Sequence, residues 1–242
     1  MEKPYVICHM MTSIDGKIIG DFLEQSKAVP IIDEYERTRT IIAAKGWMCG
    51  RVTFDVDFLK GQRLDLSKYE SVVVPSGDFI ADTNSANYAI AVDPSGKLAW
   101  SKNTIDEGFG DSRTDNHIIE IVTNKASSAY LAYLREKKIS YILAGENEVD
   151  FKTTLEKLYQ LFNITSLTLE GGGSLNGSFF AQGLIDEISV ISTPVLEGTS
   201  NSITMIETPE YMQKASSVWC TLISIDKLSN DALWLRYKLN KE

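Results

Sequence analysis

Apolar positions along the chain fall into short continuous runs and into stretches spaced three to four residues apart, the signatures of buried strands and amphipathic helices. Tyr5 to Met11 is apolar except at His9 and reads as a buried first strand. It runs into Ser13-Ile14-Asp15-Gly16-Lys17 and then Ile18-Ile19-Gly20, and Asp-Gly between strand-like runs predicts a hairpin. Pro30 to Lys45 places Ile31, Tyr35, Thr38, Ile41 and Ile42 near one face, with Asp33, Glu34 and Glu36 in the early turns. That pattern predicts a helix stopped by Gly46. Trp47 to Cys49 reads as a short strand ending in Gly50-Arg51-Val52-Thr53, and Glu70 to Val74 as a third strand closed by Pro75-Ser76-Gly77.

Residues 77–117 are more polar, and within them only Tyr88 to Val92 and the weaker Leu98 to Trp100 look like strands. Asp106 to His117 is acidic and rich in breakers, so it reads as an exposed loop. We read 77–117 as a strand-and-loop excursion within a single domain, 1–242. From Ile118 the rhythm is regular: a strand to Val122, a helix from Ser127 to Lys137, a strand from Tyr141 to Leu143, a helix from Phe151 to Phe162, and a strand from Ile164 to Leu169. Strand-helix-strand repeats with short connections imply parallel crossovers, and such sheets bind ligands beyond the carboxyl ends of their strands. After Gly183 come strand-like Ile188 to Ser192, then Trp219 to Ile225 and Leu233 to Leu239 around a polar turn, a C-terminal antiparallel hairpin. The expected class is therefore α/β, with a mixed, mostly parallel sheet.

Composition narrows the function. The 242 residues carry a net charge of −9, which argues against a general nucleic-acid or anionic-membrane surface. No run approaches the roughly 18 apolar residues of a membrane span, and Met1-Glu2-Lys3-Pro4 does not open a signal peptide. A cytoplasmic location is the default expectation. Cys8, Cys49 and Cys220 are far apart with apolar neighbours, and read as buried small hydrophobes. No zinc-ligand set is present, since there is no C-x-x-C and the histidines are only His9 and His117.

The most informative stretch is Glu170-Gly171-Gly172-Gly173-Ser174-Leu175, between the Ile164–Leu169 strand and a short helix-like segment. Glycines there let a ligand approach the backbone, and free N–H groups at a helix start suit phosphate. A tight turn with a charged shoulder is the plain alternative. The dinucleotide template G-x-G-x-x-G fails because Asn176 stands where its third glycine belongs. No nucleophile elbow or Walker lysine appears. A second phosphate-suited turn is Gly50-Arg51-Val52-Thr53, with a helix start and a solvated arginine as its alternative.

In order along the chain, Ser13-Ile14-Asp15-Gly16-Lys17, Gly50-Arg51-x-Thr53, Glu170-Gly171-Gly172 and Leu184-Ile185-Asp186-Glu187 with Pro194 and Gly198 resemble the pyrimidine reductase domain of riboflavin biosynthesis. That domain is also the C-terminal half of the bifunctional deaminase-reductase. The resemblance implies a dihydrofolate-reductase-like three-layer fold with helices on both faces of the sheet. It implies NADPH-dependent reduction of a ribosylaminopyrimidine 5′-phosphate to the ribitylamino form, and a homodimer. Carried over by position, Gly50, Arg51 and Thr53 hold cofactor phosphates, with Arg51 suited to a 2′-phosphate. Ser76 touches the adenosine end, and Gly171, Gly172, Gly173, Ser174 and Leu175 cradle the pyrophosphate and nicotinamide side. A cis Gly-Gly bond at that turn is part of the family pattern. Asp15 and Glu170 are the family-matched carboxylates on the substrate side. His9 stands where many members carry a lysine, and a neutral histidine can still donate to a substrate carbonyl. A dihydropterin reductase of the same fold and a non-catalytic nucleotide-binding protein are the competing readings.

Overall fold

The computed structural model describes residues 2–105, 113–212 and 216–241. In chain order its strands are β1 (Tyr5–Ser13), β2 (Gly46–Gly50), β3 (Tyr88–Val92), β4 (His117–Val122), β5 (Ser140–Leu143), β6 (Ser166–Leu169), β7 (Glu187–Thr193), β8 (Cys220–Lys227) and β9 (Leu233–Leu239). The helices are α1 (Val29–Ile42), α2 (Arg51–Thr53), α3 (Ser128–Glu136), α4 (Phe151–Phe162) and α5 (Gly173–Ala181). No helix among the described residues is long and apolar enough to cross a membrane. Two compact units emerge, Met1–Pro4 with Lys45–Leu167, and Tyr5–Ala44 with Thr168–Glu242.

The first unit contains the parallel run β5-β4-β3-β2. Strands β3 and β4 are buried at every position, as a mostly apolar run requires when both faces are covered, although β4 carries His117 and Glu120 into the interior. One face carries an aromatic cluster including Trp47, Phe54, Trp100, Tyr130 and Tyr133. The two long helices start where the sequence supplies caps. Ser127 accepts the Tyr130 N–H at 3.1 Å and Asp150 accepts the Thr153 N–H at 3.0 Å.

Three expectations change here. Glu70 to Val74 is not a strand: after a 3-10 turn at Ser67–Tyr69 only Tyr69 enters the core, and Val73 is 92% exposed. Its place beside β2 is taken by β3, from within the polar excursion. Leu98 to Trp100 is buried but not a strand; its groups are used by side chains, Tyr130 donating to the Leu98 carbonyl at 3.1 Å. The exposed-loop reading of 106–117 fails at its end, where Arg113, Asn116 and His117 are buried. Arg113 lies over the Trp47 ring at 4.5 Å, and Trp47 donates its indole N–H to Asn116 at 2.9 Å. Residues 106–112 lie outside the described residues.

The second unit has the order β6-β1-β7-β9-β8, entering from the carboxyl half of β6. Strand β1 pairs parallel with β7 over Ile7 to Ser13, while β7–β9 and β9–β8 are antiparallel. The C-terminal hairpin is thus present, and the sheet is mixed and mostly parallel. The Asp15-Gly16 turn, by contrast, starts no hairpin. Ser13 closes it by donating its N–H to the Lys17 carbonyl at 2.9 Å, and Lys17 makes one isolated bridge to Thr204. Strand β1 already has neighbours on both sides, so Ile18 to Gly20 has no edge to join. Helix α1 ends at Ala43, left-handed with φ 50°, and Gly46 instead opens β2. On α1, Ile41 faces solvent and Arg39 is buried. Cys8 and Cys49 are buried as expected, whereas Cys220 is exposed because it lies on the outermost strand.

Candidate active site

Beyond the carboxyl end of β6 the chain turns through Glu170-Gly171-Gly172 into α5. Gly171 has φ +113°, a conformation that side-chain-bearing residues avoid. At Gly172 a Cβ would meet nothing within 4 Å, so at this one residue the backbone faces open space. Gly173 differs: a Cβ there would sit 2.4 Å from the Thr204 carbonyl oxygen. The next turn of α5 is equally tight, with the Glu207 carbonyl 1.9 Å from a Cβ built on Gly177. Asn176, the residue that breaks the dinucleotide template, is buried and donates to the Met205 carbonyl at 2.8 Å. Glu207 donates its N–H to the Gly173 carbonyl at 3.0 Å. Helix α5 is thus seated on the 204–207 segment, leaving Gly172 as the open point. Ser174 is exposed and Leu175 half-buried in the first turn. Among the described residues no peptide bond is cis, so the cis Gly-Gly bond of the family pattern is absent and the positive φ of Gly171 makes the bend.

Glu170 is buried, and Arg39 of α1 donates to its Oε1 at 2.9 Å. Thr168 donates to the same oxygen at 2.6 Å. Arg39 was missed in the sequence, although a signal existed. It falls eight residues after Ile31, a spacing that returns to the apolar face. A charged residue at core spacing implies a buried counter-ion.

His9 is fully buried and also meets α1. Its ring stacks on Tyr35 at 4.4 Å and 11°, and its Nδ1 lies 2.9 Å from Ser189 Oγ. The Trp234 indole N–H can only donate, and it does so to that same hydroxyl at 2.8 Å. Thr38 donates its hydroxyl proton to the Tyr35 carbonyl at 2.9 Å, so both groups that face His9 Nε2 at 3.4 Å can accept a proton from it. A neutral ring with its proton on Nε2 leaves Nδ1 to accept the Ser189 hydroxyl. Helix α1 therefore brings the His9 and Glu170 side chains onto adjacent turns, with Tyr35 covering the histidine.

Asp15 is exposed and fully engaged. Its carboxylate accepts the Ser13 hydroxyl at 2.7 Å and the N–H groups of Glu197 and Gly198 at 3.0 and 2.9 Å. Two separated motifs, Ser-x-Asp-Gly and Pro194 to Gly198, thus meet through one carboxylate. The Glu197 N–H, the Ser13 hydroxyl and the Gly198 N–H, in that order, hold its carboxyl down to about 2. Nearby, beyond the end of β7, a cleft of about 530 Å³ is lined by Phe22, Ala28, Ile31, Thr193 and Val195, among others.

Gly50, Arg51 and Thr53 belong to the first unit, at the carboxyl end of β2. The chain enters α2 and continues as a π-helical turn, Phe54–Phe58, anchored by buried Phe54. Arg51 is half-buried with Asp55 4.0 Å away. Ser76 is exposed in a bend of the same unit. The glycine turn and the Gly50 turn lie in different units, each at the carboxyl end of a strand.

The RibD C-terminal domain family matches residues 85–234, which include the whole glycine turn and Glu170. The chain belongs to this family. The 2,5-diamino-6-ribosylamino-4(3H)-pyrimidinone 5′-phosphate reductase of Aquifex aeolicus is 27% identical over 218 residues, covering 85% of this chain and 84% of that one. The crystal structure of a pyrimidine reductase-like protein from Corynebacterium diphtheriae has a TM-score of 0.69 at 14% identity, covering 99% of this chain and 93% of that one. Acinetobacter baumannii RibD has a TM-score of 0.64 at 19% identity, and there this chain covers 58% of the larger protein. At these identities the two structures establish the fold alone, a mixed, mostly parallel α/β sheet finished by antiparallel strands.

Two outcomes follow from the geometry. Arg39→Met leaves the Glu170 carboxylate buried without its cation, and should cost about 3–5 kcal/mol in urea unfolding at neutral pH, largely recovered by adding Glu170→Gln. Asp15 has a folded value below its unfolded one, so its contribution is complete above about pH 4 and lost as pH falls towards 2. The Tm gap between wild type and Asp15→Asn should be constant at neutral pH and close across that acid window; a gap that persists at pH 2 would contradict the assignment.

Proposed function

We propose that the chain is a cytoplasmic, NADPH-dependent reductase of a 5-amino-6-(5-phosphoribosylamino)pyrimidine, with residues 1–242 working as one reductase domain. The reaction is reduction to the ribitylamino form by hydride transfer to the sugar C1′, a step of riboflavin biosynthesis. The observation that carries this reading is the turn beyond β6, where buried Glu170, gripped by Arg39, adjoins backbone open at Gly172. Support comes also from the family and from the Aquifex relative, named for reduction of a ribosylaminopyrimidinone phosphate.

The residues fit the cofactor at one testable point. Gly172 leaves a space that a Cβ would fill, as a backbone cradle for a phosphate requires. Gly171 to Leu175 would hold the pyrophosphate and nicotinamide side through the first N–H groups of α5. Gly173 contributes by letting α5 lie against Thr204. Gly50, Arg51 and Thr53 would take phosphates, Arg51 by its fork of donors, and Ser76 the adenosine end. NADPH, when bound, supplies the hydride. The chain supplies orientation and charge. Glu170 accepts from the pyrimidine amino groups, and Arg39 holds its carboxylate in place. Asp15 fixes the rim by tying the β1 turn to Glu197 and Gly198. His9 keeps α1 seated on β1; for it to donate to a substrate carbonyl, Tyr35 would have to move from its ring.

The partner in this reading is a second copy. Strand β8 is the outermost strand and exposed along almost all its length, and Trp219 is 85%, Ile225 57% and Leu222 50% exposed. An unpaired apolar edge can pair antiparallel with its own copy about a two-fold axis. Beside it a hollow of about 580 Å³, lined by Phe180, Ile185, Trp219 and Leu239 among others, offers a seat for a side chain.

NADPH titration and turnover assays test the reading. Wild type should turn over the ribosylaminopyrimidine phosphate and leave dihydrofolate unreduced; absence of NADPH binding at millimolar cofactor would remove it. Gly172→Val should fold normally and bind NADPH at least roughly tenfold more weakly, since its side chain fills the cradle. Glu170→Gln should lower turnover by roughly 10–100-fold with little change in NADPH affinity. Light scattering should give a dimer for wild type and a monomer for Ile225→Lys.

A further inference from the structure

The first unit buries two acids for which the reaction above has no use. Glu120 in β4 and Asp93, just past β3, are both fully buried. Ala91 is the register partner of Glu120. Strand side chains alternate, so Asp93, two residues beyond Ala91, projects from the same sheet face one step along. The two carboxyl groups are therefore neighbours on one face of the parallel pair, close enough for the Asp93 charge to act on Glu120.

Each carboxyl group has one satisfied oxygen and one orphan. Glu120 Oε1 accepts the Trp100 indole N–H and, at 2.8 Å, the Tyr130 hydroxyl. Asp93 Oδ2 accepts the N–H of Lys97 and, at 2.9 Å, that of Leu98. Glu120 Oε2 and Asp93 Oδ1 are buried without a hydrogen-bond partner. Two ionised carboxylates in this place would add mutual repulsion to two unmade hydrogen bonds. A single proton removes both deficits, because a protonated carboxyl group is a donor and its neighbour an acceptor.

We propose that Glu120 and Asp93 share one proton, with Glu120 Oε2–H donating to Asp93 Oδ1, and that this proton sets the charge beside the Gly50-Arg51 turn. Gly50 is the register partner of Val92, so Arg51 and Asp93 leave neighbouring strands side by side. The groups facing the pair are consistent with one proton. Burial first, and then the Asp93 charge, holds Glu120 well above the ordinary carboxyl range. Burial also raises Asp93, against the pull of the Lys97 and Leu98 N–H groups and of the Arg51 and Lys97 charges. Tyr130 and Tyr133, from α3, are raised by burial and by Glu120, and stay neutral. With the proton the pair carries one negative charge. Its loss at alkaline pH adds a second, which draws on Arg51 and opposes an anion at the turn. The use of that turn for cofactor phosphate rests on the reading above; the shared proton does not.

Infrared difference spectroscopy of the whole protein is the direct test. At neutral pH the wild type should show the carbonyl stretch of a buried protonated carboxyl group, shifted in deuterium oxide, lost at alkaline pH and missing in Glu120→Gln. Glutamine keeps an acceptor for Trp100 and Tyr130 and gives Asp93 an amide donor, so Glu120→Gln should melt like wild type, whereas Glu120→Ala should not. Asp93→Asn offers Glu120 a donor and removes the neighbouring charge, so the band should disappear at a lower pH. NADPH affinity should weaken roughly tenfold across the wild-type transition and stay level in Glu120→Gln. Absence of the band at neutral pH, or its survival in Glu120→Gln, overturns the shared proton. A pH-independent NADPH affinity with the band present overturns its link to the turn. Failure to bind NADPH at any pH, with the band present, overturns the functional reading and supports the shared proton alone.

Discussion

The ion pair between Arg39 and Glu170 sets the terms for the second unit. Both side chains are almost wholly removed from water, at 8% and 1% exposure, and a lone buried charge of either sign would be strongly unfavourable. The pair therefore prescribes that α1 lie against the end of β6, and that the chain leave β6 with Glu170 turned towards the helix. Everything after Glu170 inherits this. Gly171 makes the bend with a positive φ, Gly172 is left facing open space, and α5 begins one residue later. Glu170 is thereby held as a preorganised acceptor beside open backbone.

Two further constraints hold the neighbourhood in place. The 204–207 segment presses on α5 at Gly173 and Gly177, where no side chain fits, and ties down Asn176 from its Met205 carbonyl. Asp15 performs the same service at the other end, fastening the β1 turn to Glu197 and Gly198. His9, Ser189 and Trp234 form a buried polar chain, with the half-buried Tyr35 stacked on the histidine ring. Buried polar networks of this sort specify one arrangement of a core when every member is satisfied. In the first unit a second buried polar group, Glu120 with Trp100 and Tyr130, is set into an aromatic cluster that would otherwise be apolar.

Local signals were reliable wherever a segment's environment was uniform. Helix α4 was legible from Phe151 to Phe162 because Asp150 caps it and its apolar residues keep helical spacing. Strands β4 and β7 lie within one residue of their expected bounds at either end. Signals failed where the partner, and not the segment, decides. Glu70 to Val74 has strand composition but no neighbour to pair with, and the Asp15-Gly16 turn has hairpin residues but a strand with both edges taken. Cys220 has apolar neighbours in sequence and solvent in space, because the edge of a sheet is not visible from composition.

The sequence by itself determined the α/β class, the C-terminal hairpin, and the positions of Glu170 and its glycines, since each rests on periodicity or on the special conformational freedom of glycine. It also carried the ordered motifs by which the family is recognised. Only the tertiary structure decided what those residues do locally. Asp15 became a clamp because Glu197 and Gly198 came within reach of it, and Arg39 became a counter-ion because α1 turned that face inward. Hydrogen bonds and ion pairs act over about 3–4 Å, and which distant residues come that close is a property of chain packing. For the opening at Gly172 the same holds: three consecutive glycines are alike as letters, and the neighbours of each make one a bend, one an opening and one a seat for α5.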